Sequence, residues 1–144
     1  MTPALRTVDR HRVDAVAAAF VVRLQLWDTR LDRRPNDAVR RAAAFATPAL
    51  RSRLLAGQPL SAPGERWTRL VEHHGWTTVR AEIGGIGESP PTVDHRAVRA
   101  VTPVCMDHGS DGWTSFPEPL GTYIVVLERA GTGQVWAVSG YTIQ

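Results

Sequence analysis

The chain changes its hydrophobic period once, at Gly75, and that change limits what it can fold into more than any other feature. Before Gly75 apolar residues recur every three or four positions, and after it they alternate. From Val8 to Leu31 the positions Val13, Val16, Ala17, Phe20, Leu24, Trp27 and Leu31 form one stripe, with Arg12, Asp14, Arg23 and Arg30 elsewhere on the wheel, so a long amphipathic helix is expected. Arg33-Arg34-Pro35 ends it, because proline disfavours helix in the residue before it, and Asn36 or Asp37 then caps a second helix over about Asp37–Ala46. Thr47-Pro48 starts a third helix, Pro48–Ala56, with Gly57 expected as a left-handed C-cap. Trp67, Leu70, Val71 and His74 share a face of a fourth helix that stops at Gly75.

Beyond Gly75, Trp76–Ile83 reads as a strand with Thr77, Val79, Ala81 and Ile83 on one side, and His95–Cys105 as a second alternating strand. A loop is expected over Asp107–Pro119. Tyr123–Arg129 and Gln134–Ile143, joined by Ala130-Gly131-Thr132-Gly133, form a hairpin. Helices first and antiparallel strands afterwards predict an α+β domain with the helices packed on one face of a curved sheet of about four strands.

At 144 residues, 43% hydrophobic and 22% charged, the chain is expected to be one domain over 1–144 that folds unaided. Cys105 is the single cysteine, which excludes an internal disulfide and a cysteine-based zinc site. The longest apolar run, Ala15–Val22, is far short of the ~20 residues that cross a bilayer. All 17 basic residues are arginine against 14 acids, a net charge of +3. That excess is too small to make nucleic acid an expected partner, although Arg33, Arg34, Arg40, Arg41, Arg51 and Arg53 form the segment on which such binding would rest.

The order of elements resembles the nuclear-transport-factor-2-like (NTF2-like) cone. Trp27-Asp28-Thr29-Arg30-Leu31-Asp32, the stretch from Arg41 to Leu50, Trp76-Thr77-Thr78-Val79-Arg80 and Trp136-Ala137-Val138-Ser139-Gly140-Tyr141 are similar to the soluble domains of VirB8-like and TcpC-like conjugation proteins. The resemblance implies a non-catalytic assembly domain of a type IV secretion system, on the extracytoplasmic side of the cell envelope; without the resemblance a cytoplasmic location is expected. It would associate with itself and with other conjugation-channel proteins, meet the membrane only through an anchor outside this sequence, and need no cofactor. The family's Asn-Pro-x-Gly signature has a partial counterpart in Glu118-Pro119-Leu120-Gly121, with Glu in place of Asn; the same residues also read as a turn that opens a strand.

The partner-binding residues expected on this reading are Trp113, Phe116, Pro119, Gly121 and Tyr123. Trp113, in a polar loop beside Phe116, is either an exposed anchor or a cover for the open end of the sheet. The alternative is an NTF2-like hydrolase, isomerase or small-molecule binder with an apolar pocket formed by Phe20, Leu24, Asp28, Asp32 and Trp76, with Tyr123 beside them. Asp28-x-Arg30-x-Asp32 would supply two carboxylates on one helix face with an arginine to tune them, as in epoxide-opening members of that fold. The same residues read more simply as solvated surface ion pairs, each worth at most about 1 kcal/mol. Cys105, Asp107 and His108, with Asp94 and His95, have no recognised metal or nucleophile spacing, and Cys105 reads as a small buried hydrophobe. His73-His74 suits the C-terminal end of a helix dipole. Gly84-Gly85-Ile86-Gly87 lacks the GxGxxG spacing and the helix of a phosphate loop, so it reads as a strand connection.

Overall fold

The computed structural model describes residues 7–57, 64–84 and 92–144. Helices α1 (Val13–Gln25), α2 (Asn36–Ala42), α3 (Pro48–Ala56) and α4 (Glu65–Glu72) precede strands β1 (Trp76–Gly84), β2 (Arg96–His108), β3 (Glu118–Pro119), β4 (Tyr123–Glu128) and β5 (Ala137–Ile143). All pairings between these strands are antiparallel, in the order β1-β2-β4-β5. The helices lie against one curved, unclosed sheet, the α+β arrangement expected from the change of period and consistent with a cone. No helix among the described residues is long and apolar enough to cross a membrane.

The thirteen-residue β2 organises the sheet. One of its edges pairs with β4 over Arg96–Val101 and then with β3 at Val104 and Cys105, while the other pairs with β1 over Ala100–His108. Ser139 interrupts the register between β4 and β5, where Val126 faces Gly140 but Leu127 faces Val138, and its hydroxyl donates to the Val126 carbonyl at 3.3 Å. A bulge of this kind increases local twist and bends the sheet.

One apolar cluster fills the space between helices and sheet. Val16, Ala17, Phe20, Val21 and Leu24 of α1 meet Phe45, Ala46 and Leu50 on one side and Val101, Val125, Leu127, Trp136 and Val138 on the other. Ala19 and Val21 are buried alongside Val16, Ala17, Phe20 and Leu24 of the expected stripe, because α1 is covered by α2 in addition to the sheet. Small alanines along α1 allow that close approach.

Helix α1 is shorter than the stripe predicts. It ends at Gln25 because the next residues give their backbone to the sheet edge: the Trp27 carbonyl accepts the Thr77 N–H at 2.7 Å, and the Thr29 N–H donates to the Gly75 carbonyl at 2.9 Å. Trp27 still packs, edge-to-face against Trp67, but Leu31 is left 68% exposed. The second helix closes early, with Ala43–Phe45 forming a 3-10 turn. Helix α3 has the expected bounds, and the Thr47 hydroxyl accepts the Leu50 N–H at 3.4 Å. Gly57, however, is extended (φ −61°), not left-handed. On α4, Trp67 and Leu70 are buried while Val71 is exposed, as is His74 just beyond the helix.

The stop after α4 has a specific geometry. His74 adopts φ +48°, its N–H bonds the Val71 carbonyl at 3.1 Å, and the Gly75 N–H bonds the Leu70 carbonyl at 2.8 Å, the paired bonds of a Schellman motif. Histidine therefore takes the left-handed position usually given to glycine. Gly75 is needed for a different reason: a Cβ there would run into the His108 carbonyl oxygen at the end of β2.

A candidate docking surface beside a charged cleft

The segment between β2 and β3 is tied down along its length. The Ser110 N–H and hydroxyl bond the His73 and His74 carbonyls (2.9 and 2.7 Å), which satisfies acceptors left open at the end of α4. Asp111 accepts the Trp113 N–H (3.1 Å) through one oxygen and approaches His73 Nδ1 (2.7 Å) with the other. The Trp113 indole stacks on the His73 ring at 4.4 Å and 9°. Beyond it, Ser115 exchanges bonds with Asp107: its N–H donates to the Asp107 carbonyl (2.9 Å) and its hydroxyl accepts the Asp107 N–H (2.8 Å). Phe116 follows, 91% exposed on a backbone fixed from both sides.

Next to Phe116 is a cleft of about 220 Å³ between α4 and the loop, lined by Glu65, Arg66 and Arg69, by Cys105 and Asp107 of β2, and by Ser115, Phe116, Glu118 and Leu120. Its floor is an ion pair. Arg66 Nε and Nη2 donate to the two Asp107 oxygens (3.1 and 2.9 Å), the Thr77 hydroxyl donates to Asp107 Oδ1 (2.8 Å), and Arg66 Nη2 also reaches Thr77 Oγ1 (3.1 Å). The guanidinium lies over the Trp27 ring at 4.5 Å. Thr77 and Asp107 are opposite one another in the β1–β2 register, so strand pairing brings their side chains together on the inward face. These groups satisfy each other, and the cleft presents the outer charges Glu65, Arg69 and Glu118 with the Phe116 ring at its margin.

Cys105 lies in this wall as a buried side chain, and burial pushes its thiol up to about 11. It is therefore protonated at neutral pH, and the thiolate is the nucleophilic form. Alternation along β2 separates Cys105 and Asp107 from His108, which stacks on Trp76 and bonds the Thr78 hydroxyl at 2.8 Å. Asp94 and His95 lie before the other end of β2. No metal-binding group of three or more His, Cys, Asp or Glu occurs among the described residues.

The five expected partner-binding residues separate. Phe116, Pro119 and Gly121 are exposed, and Trp113 is half-buried against His73. Tyr123 is in the core, its hydroxyl accepting from Gln25 Nε2 at 2.7 Å, so it does not belong to an outer surface; β4 alternation points it inward. Glu118-Pro119 forms the two-residue β3, and Gly121 (φ +72°) turns the chain into β4. Of Gly84-Gly85-Ile86-Gly87, Gly84 ends β1 and the other three lie outside the described residues.

The residues expected around an apolar pocket are filled in or neutralised. Phe20 and Leu24 belong to the packed core, Phe20 edge-to-face with Tyr141, and the Trp76 ring is in contact with the Arg30 guanidinium and stacked on His108. Asp28 and Asp32 do not share a helix face, because α1 has already ended, and they are not solvated: each is 7% exposed. Asp28 binds Arg30 through both oxygens (2.9 Å each), whereas Arg41 donates to both oxygens of Asp32 (2.6 and 2.8 Å) and to the Leu26 carbonyl (2.7 Å). Burial by itself would raise the Asp28 pKa, but the side-chain and backbone bonds from Arg30 and its charge hold it below the ordinary carboxylate value. Two carboxylates committed to arginines in this way are structural ties between the end of α1 and its neighbours.

Sequence reasoning missed Arg66, whose partner Asp107 is 41 residues away. A signal was present: Thr77 falls on the inward side of an alternating strand, and a polar group there requires a partner. Neither the protein-family models nor the curated proteins contain a match to this chain.

Proposed function

We infer that this chain is a non-catalytic assembly domain that works by self-association and by docking other proteins, in the manner implied by its resemblance to VirB8-like and TcpC-like conjugation proteins. On that reading it belongs to a type IV secretion apparatus on the extracytoplasmic side of the cell envelope. The observation that carries the proposal is Phe116, a fully presented aromatic ring on a loop held by backbone and side-chain bonds on both sides. A rigid aromatic anchor loses little conformational entropy on binding, and such anchors dominate interface energetics. The adjoining cleft supplies what surrounds an anchor in an interface, a rim of charges of both signs from Glu65, Arg69 and Glu118.

Burying one phenyl ring stabilises a contact by about 1.5–3 kcal/mol, so Phe116→Ala is expected to weaken association roughly 10- to 150-fold. Light scattering coupled to size exclusion, together with crosslinking to co-encoded transfer proteins, measures this, and the variant's unfolding curve should overlay that of the wild type. A chain that stays monomeric and captures no such partner at high concentration, or an interface unaffected by the substitution, would defeat the proposal.

A further inference from the structure

Three arginines from three different segments converge on the 3-10 turn at Ala43–Phe45, and among the described residues none of them is paired with a carboxylate. Arg10 Nη1 donates to the Ala44 carbonyl (2.9 Å) and Arg51 Nη2 reaches the same oxygen (3.4 Å), with Arg51 Nε on the Ala43 carbonyl (3.1 Å). The guanidinium carbons of Arg10 and Arg23 lie 4.4 and 4.6 Å from the centroid of the Phe45 ring. The backbone beneath them is fixed: the Arg10 carbonyl accepts the Trp136 N–H at 2.8 Å, and the Arg51 N–H bonds the Thr47 carbonyl at 2.8 Å. Burial first, and then the charge of Arg10, lower the Arg23 pKa from its ordinary value, as expected for cations crowded together.

The acids near this cluster in sequence are engaged elsewhere. Asp9 is turned to the N–H and ring of His11, Asp14 binds Arg99, Asp28 binds Arg30, Asp32 binds Arg41, and Asp37 accepts the backbone N–H groups of Arg33 and Arg34. Residues 1–6 contain no acid. Among the described residues, Arg10 Nε and Nη2, Arg23 Nε and Nη2, and Arg51 Nη1 have no hydrogen-bond partner. The charge of Arg10 acts on Arg23 across the Phe45 ring, and the Ala43 and Ala44 carbonyl dipoles offset only part of the positive charge gathered at this turn.

The geometry points to a binding site for a small phosphate-type oxyanion at Arg10, Arg23 and Arg51. A single carboxylate offers two oxygens and one charge, which one guanidinium fork satisfies. A phosphate group carries nearly two charges and three strong acceptor oxygens, which matches donors arriving from the segment before α1, from α1 and from α3. The site is independent of the Phe116 loop.

Isothermal titration with inorganic pyrophosphate, alongside thermal unfolding with and without it, tests the assignment. Pyrophosphate is expected to raise Tm by about 4 °C at tenfold excess over its Kd, beyond sodium chloride at matched ionic strength. Arg10→Gln and Arg51→Gln should each weaken binding tenfold or more, whereas Arg53→Gln, which removes the same charge from the exposed side of α3, should leave it unchanged. Absence of binding at millimolar pyrophosphate, a Tm rise reproduced by chloride, or equal losses in Arg53→Gln and Arg51→Gln would each overturn the assignment.

Discussion

Replacing Arg41 with methionine is expected to destabilise the fold severely, although Arg41 lies outside the Phe116 surface and the cleft beside it. Its guanidinium holds Asp32 through two bonds and the Leu26 carbonyl through a third, joining α2 to the residues that leave α1. The Asp32 side chain is only 4% exposed and that of Arg41 33% exposed. Methionine keeps most of the aliphatic stem, so the loss is electrostatic: a buried carboxylate is left with one donor, the Asp28 N–H at 3.0 Å. Breaking a fully buried pair from one side costs about 3–5 kcal/mol. Because a third of the arginine meets water, part of that is recovered by solvation, which leaves about 2–3 kcal/mol.

Against a total stability of roughly 5–15 kcal/mol, that loss should lower Tm by about 6–10 °C and move the urea midpoint at constant slope. The cycle with Asp32→Asn isolates the pair. Asparagine still accepts the Asp28 N–H but carries no charge, so Arg41→Met should cost far less in that background, with a coupling of about 1.5–3 kcal/mol. The exposed pair Arg80–Glu82 is the control, and its disruption should cost about 0.5 kcal/mol or less. An Arg41→Met variant within about 0.5 kcal/mol of wild type, or additive behaviour in the cycle, would refute the description of Asp32 as a buried and committed carboxylate.

Gly75→Ala should cost about 2–3 kcal/mol by denaturant unfolding, because its methyl meets the His108 backbone and Leu70. His74→Gly should instead gain up to about 1 kcal/mol by relieving the left-handed φ. The Asp28 pKa lies below its unfolded value, so its contribution is fully present above the unfolded carboxylate range and is lost as pH falls through the lower folded value; acid titration of Arg30→Gln should therefore show a shallower loss of stability below about pH 4 than the wild type. With its thiol raised to about 11 and its side chain buried, Cys105 should react with a disulfide reagent at pH 8 only as fast as the fold opens, and fast labelling of the native protein would contradict that.

The parts of the fold legible in the sequence are those fixed by local chemistry. The Thr47-Pro48 cap set the start of α3, alternation set the inward face of β1, and the change of period at Gly75 set the boundary between helices and sheet. What could not be read arises from backbone groups that find distant partners. The stripe from Val13 to Leu31 continues past Gln25, yet the chain leaves the helix at Leu26 because the Trp27 carbonyl and Thr29 N–H serve the edge of β1 near Gly75. That one departure turned Asp28 and Asp32 from a surface pair into buried ties. Similarly, β2 runs to His108, three residues beyond the expected Cys105, because β1 and β3 supply partners on its two edges. Phe116 and Gly121 could be chosen from the sequence, as loop chemistry places them outside; Tyr123 could not, since alternation shows which residues of β4 share a face but not which face meets the helices.

Charge is divided unevenly along the chain, with the change after α3. Residues 1–57 contain eleven arginines and five aspartates, while residues 58–144 contain six arginines and nine acids. The first part is therefore net +6 and the second net −3, and the modest +3 of the whole conceals two oppositely charged halves. The Arg10, Arg23 and Arg51 cluster belongs to the positive half, and the Phe116 loop with Glu65, Asp111 and Glu118 belongs to the negative one. A chain with this distribution is steered toward partners in a defined orientation, since an encounter that brings like halves together is repelled before any contact forms. On the proposed function, raising salt should then slow association of the Phe116 face with a positively charged surface while leaving the dissociation rate of the formed contact largely unchanged, because the anchor is apolar and the charges surround it. A dissociation rate that rises with salt as steeply as the association rate falls would mean that ion pairs, and not the aromatic ring, hold the interface.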